Sequence, residues 1–164
     1  MMRTPLSEGK SPDIQRATMN HLEVVEKKAT EASVFGAITV EKASDVRTLT
    51  CEARDAAAPA RYTLAEVEQT WFVGLETQDR WLSESIEADL MHSGDSLEEL
   101  LEEELDDLGL TITEVTTQHF RDDRMQYVFR TPLPGDVTPE QAAVWLLAYE
   151  ATFRELGDMS TDES

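Results

Sequence analysis

The sequence predicts an α+β fold in which an antiparallel sheet of about five to six strands packs against three to four helices. Two observations support this prediction. Segments of alternating apolar and polar residues follow one another directly, first between residues 34 and 76 and again between residues 111 and 129. Segments with helical spacing lie outside these runs, and such segregation is typical of α+β proteins rather than of doubly wound nucleotide binders.

The first helix is expected to begin at Ser11 and to continue to about Thr30. Ser11-Pro12-Asp13 combines a capping hydroxyl, a proline at the first helical position and an acid near the positive end of the helix dipole. Residues 1–10 and 158–164 show no periodicity and are expected to form flexible tails. Residues 11–157 are therefore predicted to form a single domain.

Strands are predicted around residues 34–40 and 48–53, where apolar residues alternate with polar ones. Residues 62–76 fit two structures. They form either one long strand or a helix that opens with a capping box at Thr63-Leu64-Ala65-Glu66. The strand is favoured because Trp71-Phe72-Val73 is strongly strand-prone. In that strand one face would carry Ala65, Val67, Trp71, Val73 and Leu75.

Two further helices are predicted over residues 77–91 and 96–108, with a break at Ser93-Gly94-Asp95-Ser96. The first would bury Trp81, Leu82, Ile86 and Leu90. The second would bury Leu97, Leu100, Leu101, Leu105 and Leu108, and would end at Gly109. A hairpin follows, with strands over 111–120 and 125–129 and a turn at 121–124.

The last helix begins at Thr138-Pro139-Glu140-Gln141, which combines an N-cap, a proline and a capping glutamine. One face is apolar, and the opposite face is only weakly polar. Such a helix is either part of the core or packed against a second chain. The alternative of a recognition surface gives four candidate partner-binding residues: Trp81, Trp145, Tyr149 and Phe153.

The formal net charge of -20 on 164 residues excludes two classes of direct partner. Nucleic-acid backbones and anionic membranes are bound through cationic side chains, and this chain has 14 Lys and Arg against 34 Asp and Glu. The sequence contains no apolar run of membrane-spanning length. A single cysteine permits no internal disulfide, so a reducing cytoplasm is the expected location.

The sequence gives no motif for catalysis, for a cofactor or for a metal. His21, His92 and His119 lie in separate elements without metal-ligand spacing, and we expect solvated or capping roles for them. Cys51 fits the inward face of a strand as a small core residue. The acidic run over 98–107 indicates a solvated helix face or a docking surface for a basic partner. A catalytic triad depends on spatial neighbours that one sequence does not locate.

The segment Met125-Gln-Tyr-Val-Phe-Arg-Thr-Pro-Leu-Pro, followed by Val137-Thr-Pro-Glu-Gln and an aromatic-bearing helix, resembles the C-terminal part of YbjN-type proteins. These are relatives of the type III secretion chaperones, and the order of predicted elements resembles their fold. This chain has two helices, broken at Gly94, where that family usually has one. The resemblance implies a protein-binding or regulatory role, often as a homodimer, without catalytic residues.

Three functional hypotheses follow. The first is a non-enzymatic, chaperone-like protein-binding module, homodimeric, that holds a partner through apolar grooves on an acidic domain. The second is an acidic nucleic-acid mimic that occupies the basic groove of a DNA- or RNA-binding protein. The third is a small-ligand enzyme or binding protein, for which Cys51, His92 and Tyr127 would be the first residues to substitute.

Overall fold

The computed structural model describes residues 12–43, 46–112 and 114–160, and of residues 12–20, 42 and 43 the backbone alone. These residues form four helices, six strands and a short 3₁₀ turn. The helices are α1 (Pro12–Ala32), α2 (Arg80–Ser93), α3 (Leu97–Asp107) and α4 (Pro139–Phe153), followed by the turn Gly157–Met159. The strands are β1 (Ile38–Ala43), β2 (Val46–Glu52), β3 (Ala60–Val67), β4 (Thr70–Thr77), β5 (Gln118–Arg121) and β6 (Tyr127–Pro132).

The six strands form one antiparallel sheet in the order β1-β2-β3-β4-β6-β5. The chain leaves the sheet after β4, forms α2 and α3, and returns so that β6 pairs directly with β4. The helices pack on one face of the sheet, and the predicted α+β class is confirmed. No helix among the described residues is both long enough and apolar enough to cross a membrane.

Residues 62–76, for which the sequence allowed a long strand or a helix, form most of a tight hairpin. Its turn is Glu68-Gln69, with φ angles of 51° and 69°, which is the type I′ conformation whose twist matches that of paired strands. Because Val67 pairs with Thr70, odd-numbered residues change face across the turn. The segment is therefore strand rather than helix, as predicted, but the prediction of one long strand is wrong, because two strands meet at the turn. The single shared face is also wrong for Ala65, Val67, Trp71, Val73 and Leu75.

The fifth strand is shorter than predicted. Only Gln118–Arg121 pairs with β6, although a strand from residue 111 was expected. Val115 is instead buried in the core, and the Thr117 hydroxyl donates to the carboxylate of Glu98 on α3 at 2.5 Å. These contacts tie the segment before β5 to the helical layer, which removes it from the sheet.

The end of α3 explains a second difference. Gly109 has a φ of 91°, and the Leu110 N–H donates to the Leu105 carbonyl at 2.8 Å, as in a Schellman motif. Leu110 thereby returns towards the core. Leu108, which was predicted to be buried, lies beyond the helical stripe and is 43% exposed.

The chain remains packed beyond α4, where a flexible tail from residue 158 was predicted. The N–H of Gly157 donates to the Asp89 carboxylate at 2.6 Å, and the N–H of Asp158 donates to Ser85 Oγ at 3.0 Å. A Cβ at Gly157 would lie 2.5 Å from Ser85 Oγ, so glycine permits this close approach. Met159 is buried, which corrects the tail boundary, whereas the tails predicted at 1–10 and 161–164 lie outside the described residues.

Helix α4 occupies the centre of the helical layer. It packs against α1, against α3 and against strands β3 and β4. Its N-terminus has the predicted capping box, in which Thr138 and Gln141 satisfy each other's backbone N–H groups. Burial on these several sides explains why the helix is apolar around most of its circumference.

A buried hydrogen bond joins α4 to the sheet. The hydroxyl of Tyr149 lies 2.6 Å from Thr131 Oγ1 on β6, and both residues are completely buried. Tyr149→Phe leaves the Thr131 hydroxyl without its partner and should lower the free energy of unfolding by about 1–3 kcal/mol in urea titration. Replacing both residues, as Tyr149→Phe with Thr131→Val, should restore part of this loss because neither polar group remains.

The matched control is Tyr127→Phe at the half-exposed start of β6, where we expect a change within about 0.5 kcal/mol. A double variant that is no more stable than Tyr149→Phe would contradict the role of this hydrogen bond.

Candidate functional site

The structure separates the four predicted partner-binding residues. Trp145, Tyr149 and Phe153 are at most 2% exposed and lie in the core between α4 and the sheet. Trp81 is 76% exposed. The first three are therefore core residues that hold the fold together, and the recognition role predicted for them is wrong. The apolar circumference of α4 is covered within one chain, so it gives no basis for a homodimer.

Trp81 is exposed because of the position at which α2 begins. Asp79 caps the helix by accepting from the Leu82 N–H at 2.8 Å, and Leu82 and Ile86 then face the core. Trp81 precedes Leu82 by about 100° of helical rotation and points outwards. Ala88 and Met91 are also exposed, and Met91 reaches 84%. We call Trp81, Ala88 and Met91 the outer face of α2. The prediction that Trp81 belongs to the buried stripe is wrong.

Helix α3, which follows α2 in the chain after Gly94-Asp95-Ser96, carries several acidic side chains. Ser96 and Glu99 form a capping box, which sets the helical phase so that Leu97, Leu101 and Leu105 are buried. A shallow groove of about 420 Å³ is lined by Thr111, Ile112 and a set of five carboxylates. We call this set the acidic stripe: Asp95, Glu99, Glu102, Glu103 and Asp106.

The charge of the α2–α3 region is strongly one-sided. Residues 80–107 contain eleven acids and one cation, Arg80, which is paired with Glu84 at 2.7 Å. Among the described residues no group of three or more His, Cys, Asp or Glu side chains is placed to hold a metal ion. The α2–α3 region is therefore strongly negative, and the carboxylates of the acidic stripe are not grouped as metal ligands are.

A hydrogen-bonded chain of Ser83, His119 and Glu87 links α2 to the edge strand β5. Ser83 Oγ lies 3.3 Å from His119 Nε2, and His119 Nδ1 lies 2.8 Å from a Glu87 carboxylate oxygen. The imidazole also stacks on Phe129, with ring centroids 3.8 Å apart. Because a carboxylate only accepts, Nδ1 carries the proton and Nε2 accepts from the Ser83 hydroxyl. This connectivity is that of a hydrolase triad.

The burial of Ser83 argues against catalysis by the three hydrogen-bonded residues Ser83, His119 and Glu87. Ser83 is 2% exposed and lies on the inward side of α2, packed against β5. A nucleophile has to reach an acyl group while oxyanion donors face the same point. The N–H of Ser83 is already donated to the Asp79 carbonyl. The three residues instead fasten a four-residue edge strand to the helical layer.

The sequence did not locate these three residues together. Ser83 and Glu87 stand four apart on one helix, which is a visible signal, but His119 joins them only because β5 is brought next to α2 by its pairing with β6.

His21, like His119, was expected to be solvated or capping. Its ring stacks on Trp71 with centroids 4.3 Å apart, so that expectation is wrong for His21 and His119.

Two cavities lie near ionisable groups. One of about 810 Å³ opens at the ends of β3 and β4 and is lined by polar side chains that include Glu52, Arg61, Glu76 and Asp79. A smaller cavity of about 130 Å³ contains Glu150, whose carboxylate pairs with Arg154 at 3.0 Å. Burial raises the pKa of Glu150, while Arg154 lowers it. Neither cavity is the apolar groove expected from the sequence.

The three residues proposed for a small-ligand site do not meet. Cys51 is buried on β2, His92 is exposed at the end of α2, and Tyr127 begins β6, which is separated from β2 by the two strands β3 and β4. The hypothesis of a site built on these residues therefore has no geometric support among the described residues.

Compared with known proteins, the chain matches no family model, no curated protein and no solved structure. The resemblance to YbjN-type proteins stays a prediction.

The His119 chain predicts how stability depends on pH. Desolvation lowers the pKa of His119, against the opposing effect of Glu87, and desolvation also lowers the pKa of His21. The unfolded chain then binds more protons than the folded one just below the ordinary histidine pKa of about 6.5. We expect the free energy of unfolding to decrease as the pH falls from 8 to 6, with a smaller decrease in His119→Gln.

Chemical denaturation at each pH measures this dependence. The range stops at pH 6 because Glu150, whose pKa is raised by burial, contributes with the opposite sign in more acidic solution. His92→Gln, which removes an exposed imidazole outside this hydrogen-bonded chain, is the matched control for the substitution. A steeper dependence in His119→Gln than in the wild type would refute the assignment.

The structure confirms Cys51 as a core residue, and its thiol should be unreactive in the native state. Cys51 is fully buried between its cross-strand neighbours Ile38 and Tyr62, and burial raises its pKa to about 12. Reaction with a thiol-specific disulfide reagent at pH 8 should be absent over minutes and complete after denaturation. Rapid labelling of the native protein would show that this part of the sheet opens readily.

Proposed function

We propose that this protein is a non-enzymatic protein-binding module that binds a basic, amphipathic segment of a partner on α2 and α3. The observation that supports this proposal most directly is the exposure of Trp81 and Met91 on the outer face of α2. Burying large apolar side chains that are this exposed gives the largest favourable change in free energy on binding. Tryptophan is also enriched among the residues that dominate binding energy.

The charge of the same region selects the partner. Met91 lies near the end of α2, and Asp95, four residues later, begins the acidic stripe of α3. A partner helix with apolar residues for the outer face and Lys or Arg for the stripe would satisfy both surfaces. Attraction to eleven acids would also steer the encounter, and acidic partners would be repelled.

The resemblance to YbjN-type proteins supports the same class of function, since it implies binding or regulation without catalysis. The buried thiol of Cys51 is compatible with the cytoplasmic location expected from the sequence. The proposal differs from the sequence hypothesis in its binding surface, which is the outer side of α2 and α3 rather than an apolar groove or the last helix.

A nucleic-acid mimic is the second candidate, and the acidic stripe favours it. Its carboxylates recur at about one helical turn, or roughly 5–6 Å along the axis. A mimic would depend on these charges and would be displaced by DNA or RNA, because both occupy the same basic groove. Dependence on Trp81 would instead indicate the amphipathic segment of the first proposal.

Substitutions in the outer face should separate these functions. The full chain is biotinylated, proteins that bind it are identified by mass spectrometry, and one purified partner is titrated against variants. Trp81→Ala should weaken its binding at least tenfold, since truncation of a central aromatic anchor costs about 2 kcal/mol or more. Met91→Ala should weaken binding less. Met125→Ala, which shortens an equally flexible methionine that is 57% exposed in the β5–β6 turn, is the matched control.

Neutralising the stripe gives the second arm of this experiment. Glu99→Gln, Glu102→Gln and Glu103→Gln together should reduce the association rate and the salt dependence of binding. A partner that loses affinity only in this triple variant, and that is displaced by duplex DNA, would favour the mimic. Full affinity in Trp81→Ala would overturn the amphipathic proposal.

A further inference from the structure

The face of the sheet opposite the helices carries a cross-strand row of unusual composition. The row that faces the helices contains Cys51, Tyr62, Leu75 and Phe129, which pair in register across β2, β3, β4 and β6. Side chains alternate along a strand, so the adjacent row lies on the other face. We call that adjacent row the open-face row: Thr50, Thr63, Gly74 and Arg130.

Arg130 is held in place by two aromatic rings. Its guanidinium carbon lies 4.2 Å from the ring centre of Phe72 on β4 and 5.1 Å from that of Phe120 on β5. The Arg130 Nε–H donates to Gln118 Oε1 at 2.7 Å. These contacts fix the guanidinium and shield it from water, while its terminal Nη groups keep their donors.

Gly74 makes room for this arrangement. A Cβ at Gly74 would lie 3.0 Å from the Phe129 carbonyl oxygen, 3.1 Å from Thr63 Oγ1 and 3.4 Å from Arg130 Cβ. The stem of Arg130 and the hydroxyl of Thr63 therefore both adjoin the space that any larger residue would occupy. The surface of the row therefore has a depression at Gly74, between Thr63 and Arg130, and Phe72 lies beside this depression.

Arg130 belongs with Arg47, Arg54 and Arg121 to the described arginines that have no carboxylate partner, and of these four it is the one that lies between two aromatic rings. Carboxylates lie within 4.0 Å of the guanidinium groups of Arg61, Arg80, Arg124 and Arg154. For Arg130 the structure gives ring faces and an amide oxygen, and no carboxylate of the described residues within that distance. Although the chain has 34 acids and 14 cations, the Nη donors of this fixed guanidinium have no carboxylate partner among the described residues and can bind one from a ligand.

A second polar group in the same row also lacks a partner. Thr50 is 4% exposed, and its Oγ1 has no hydrogen-bond partner among the described residues. Three strand spacings of about 4.8 Å place it roughly 14 Å from Arg130. This oxygen is inaccessible to solvent, so a ligand on the surface of the row would contact Thr63 and Arg130 rather than the Thr50 hydroxyl.

We propose that Arg130 binds the carboxylate of an acidic residue in an extended peptide segment of a partner protein, which lies along the open-face row. A carboxylate matches the planar fork of the guanidinium through two parallel hydrogen bonds. Phe72 and Phe120 supply apolar contact beside it, and Thr63 supplies a hydroxyl group further along the row.

The open setting favours a peptide over a free small anion. Small ligands bury most of their surface in concave sites, whereas this row lies on the face of the sheet opposite the described helices. The overall charge of -20 repels polyanions and therefore favours a segment with a single carboxylate among apolar residues. This surface is on the opposite side of the sheet from α2 and α3, so the inference does not depend on the proposed function.

The test selects peptides on the intact chain. A phage-displayed library of random dodecamers is panned separately against the wild type and against Arg130→Lys, which keeps the charge but loses the planar fork. Clones that bind the wild type alone should share one Asp or Glu flanked by apolar residues. A synthetic peptide from such a clone should bind at least tenfold more weakly to Arg130→Lys, and its Glu→Gln or Asp→Asn form should lose affinity equally.

Arg124→Lys is the matched control, because Arg124 already pairs with Glu76 and Asp122, and it should leave the affinity unchanged. Equal thermal unfolding of the variants and the wild type verifies that the fold is kept. Three results would overturn the proposal: no clones that depend on Arg130, dependent clones without an acidic residue, or displacement of the peptide by sodium acetate or inorganic phosphate at the peptide's own concentration.

Discussion

The structure depends on the burial of α4 against one face of the sheet. Trp145, Tyr149 and Phe153 fill the space between this helix and strands β3, β4 and β6, and the hydroxyl of Tyr149 finds its partner in Thr131. Burying an aromatic side chain stabilises the fold by about 1.5–3 kcal/mol. These three aromatic side chains are therefore buried in the core and are not part of the surface.

The β3–β4 turn determines which residues form the opposite face of the sheet. With two residues in the type I′ turn, Thr63 pairs with Gly74 and both lie away from the helices. A change of register by one residue would exchange the two faces and would place Tyr62 and Leu75 in solvent. The register that places Tyr62 and Leu75 in the core therefore also places Thr63 and Gly74 in the open-face row. The two-residue turn at Glu68-Gln69 fixes this register.

Most of the fold could be predicted from the sequence, because capping signals and apolar periods are local properties. The start of α4 at Thr138-Pro139, the end of α3 at Gly109 and the order of elements all follow from neighbours in the chain. The direction of individual side chains could not be predicted as well. Trp81 and Leu82 are adjacent in α2, yet one is exposed and the other buried. The cap at Asp79, two residues before Trp81, fixes where the helix begins and therefore which side chains face the core.

The candidate sites could be predicted only in part, since they are made by elements distant in sequence. Trp81 was among the predicted partner-binding residues, but so were three aromatic residues of the core, and aromatic content alone does not distinguish an anchor from a core residue. The chain Ser83–His119–Glu87 and the sandwich around Arg130 both require β5 to lie beside β6. Sheet order beyond adjacent hairpins is not encoded in any local pattern.

The acidic stripe is not explained by the stability of the fold. Acids three or four residues apart on α3, such as Glu99 with Glu102 and Glu103, repel one another by a few tenths of a kcal/mol per pair. Asp106 and Asp107 in addition lie at the negative end of the helix dipole, which is unfavourable by about 0.3–1 kcal/mol each at a surface. Neutral polar residues would form the same helix with less repulsion and the same buried leucines. The acids of α3 therefore lower the stability of the helix that carries them, and the proposed binding function would give them a role.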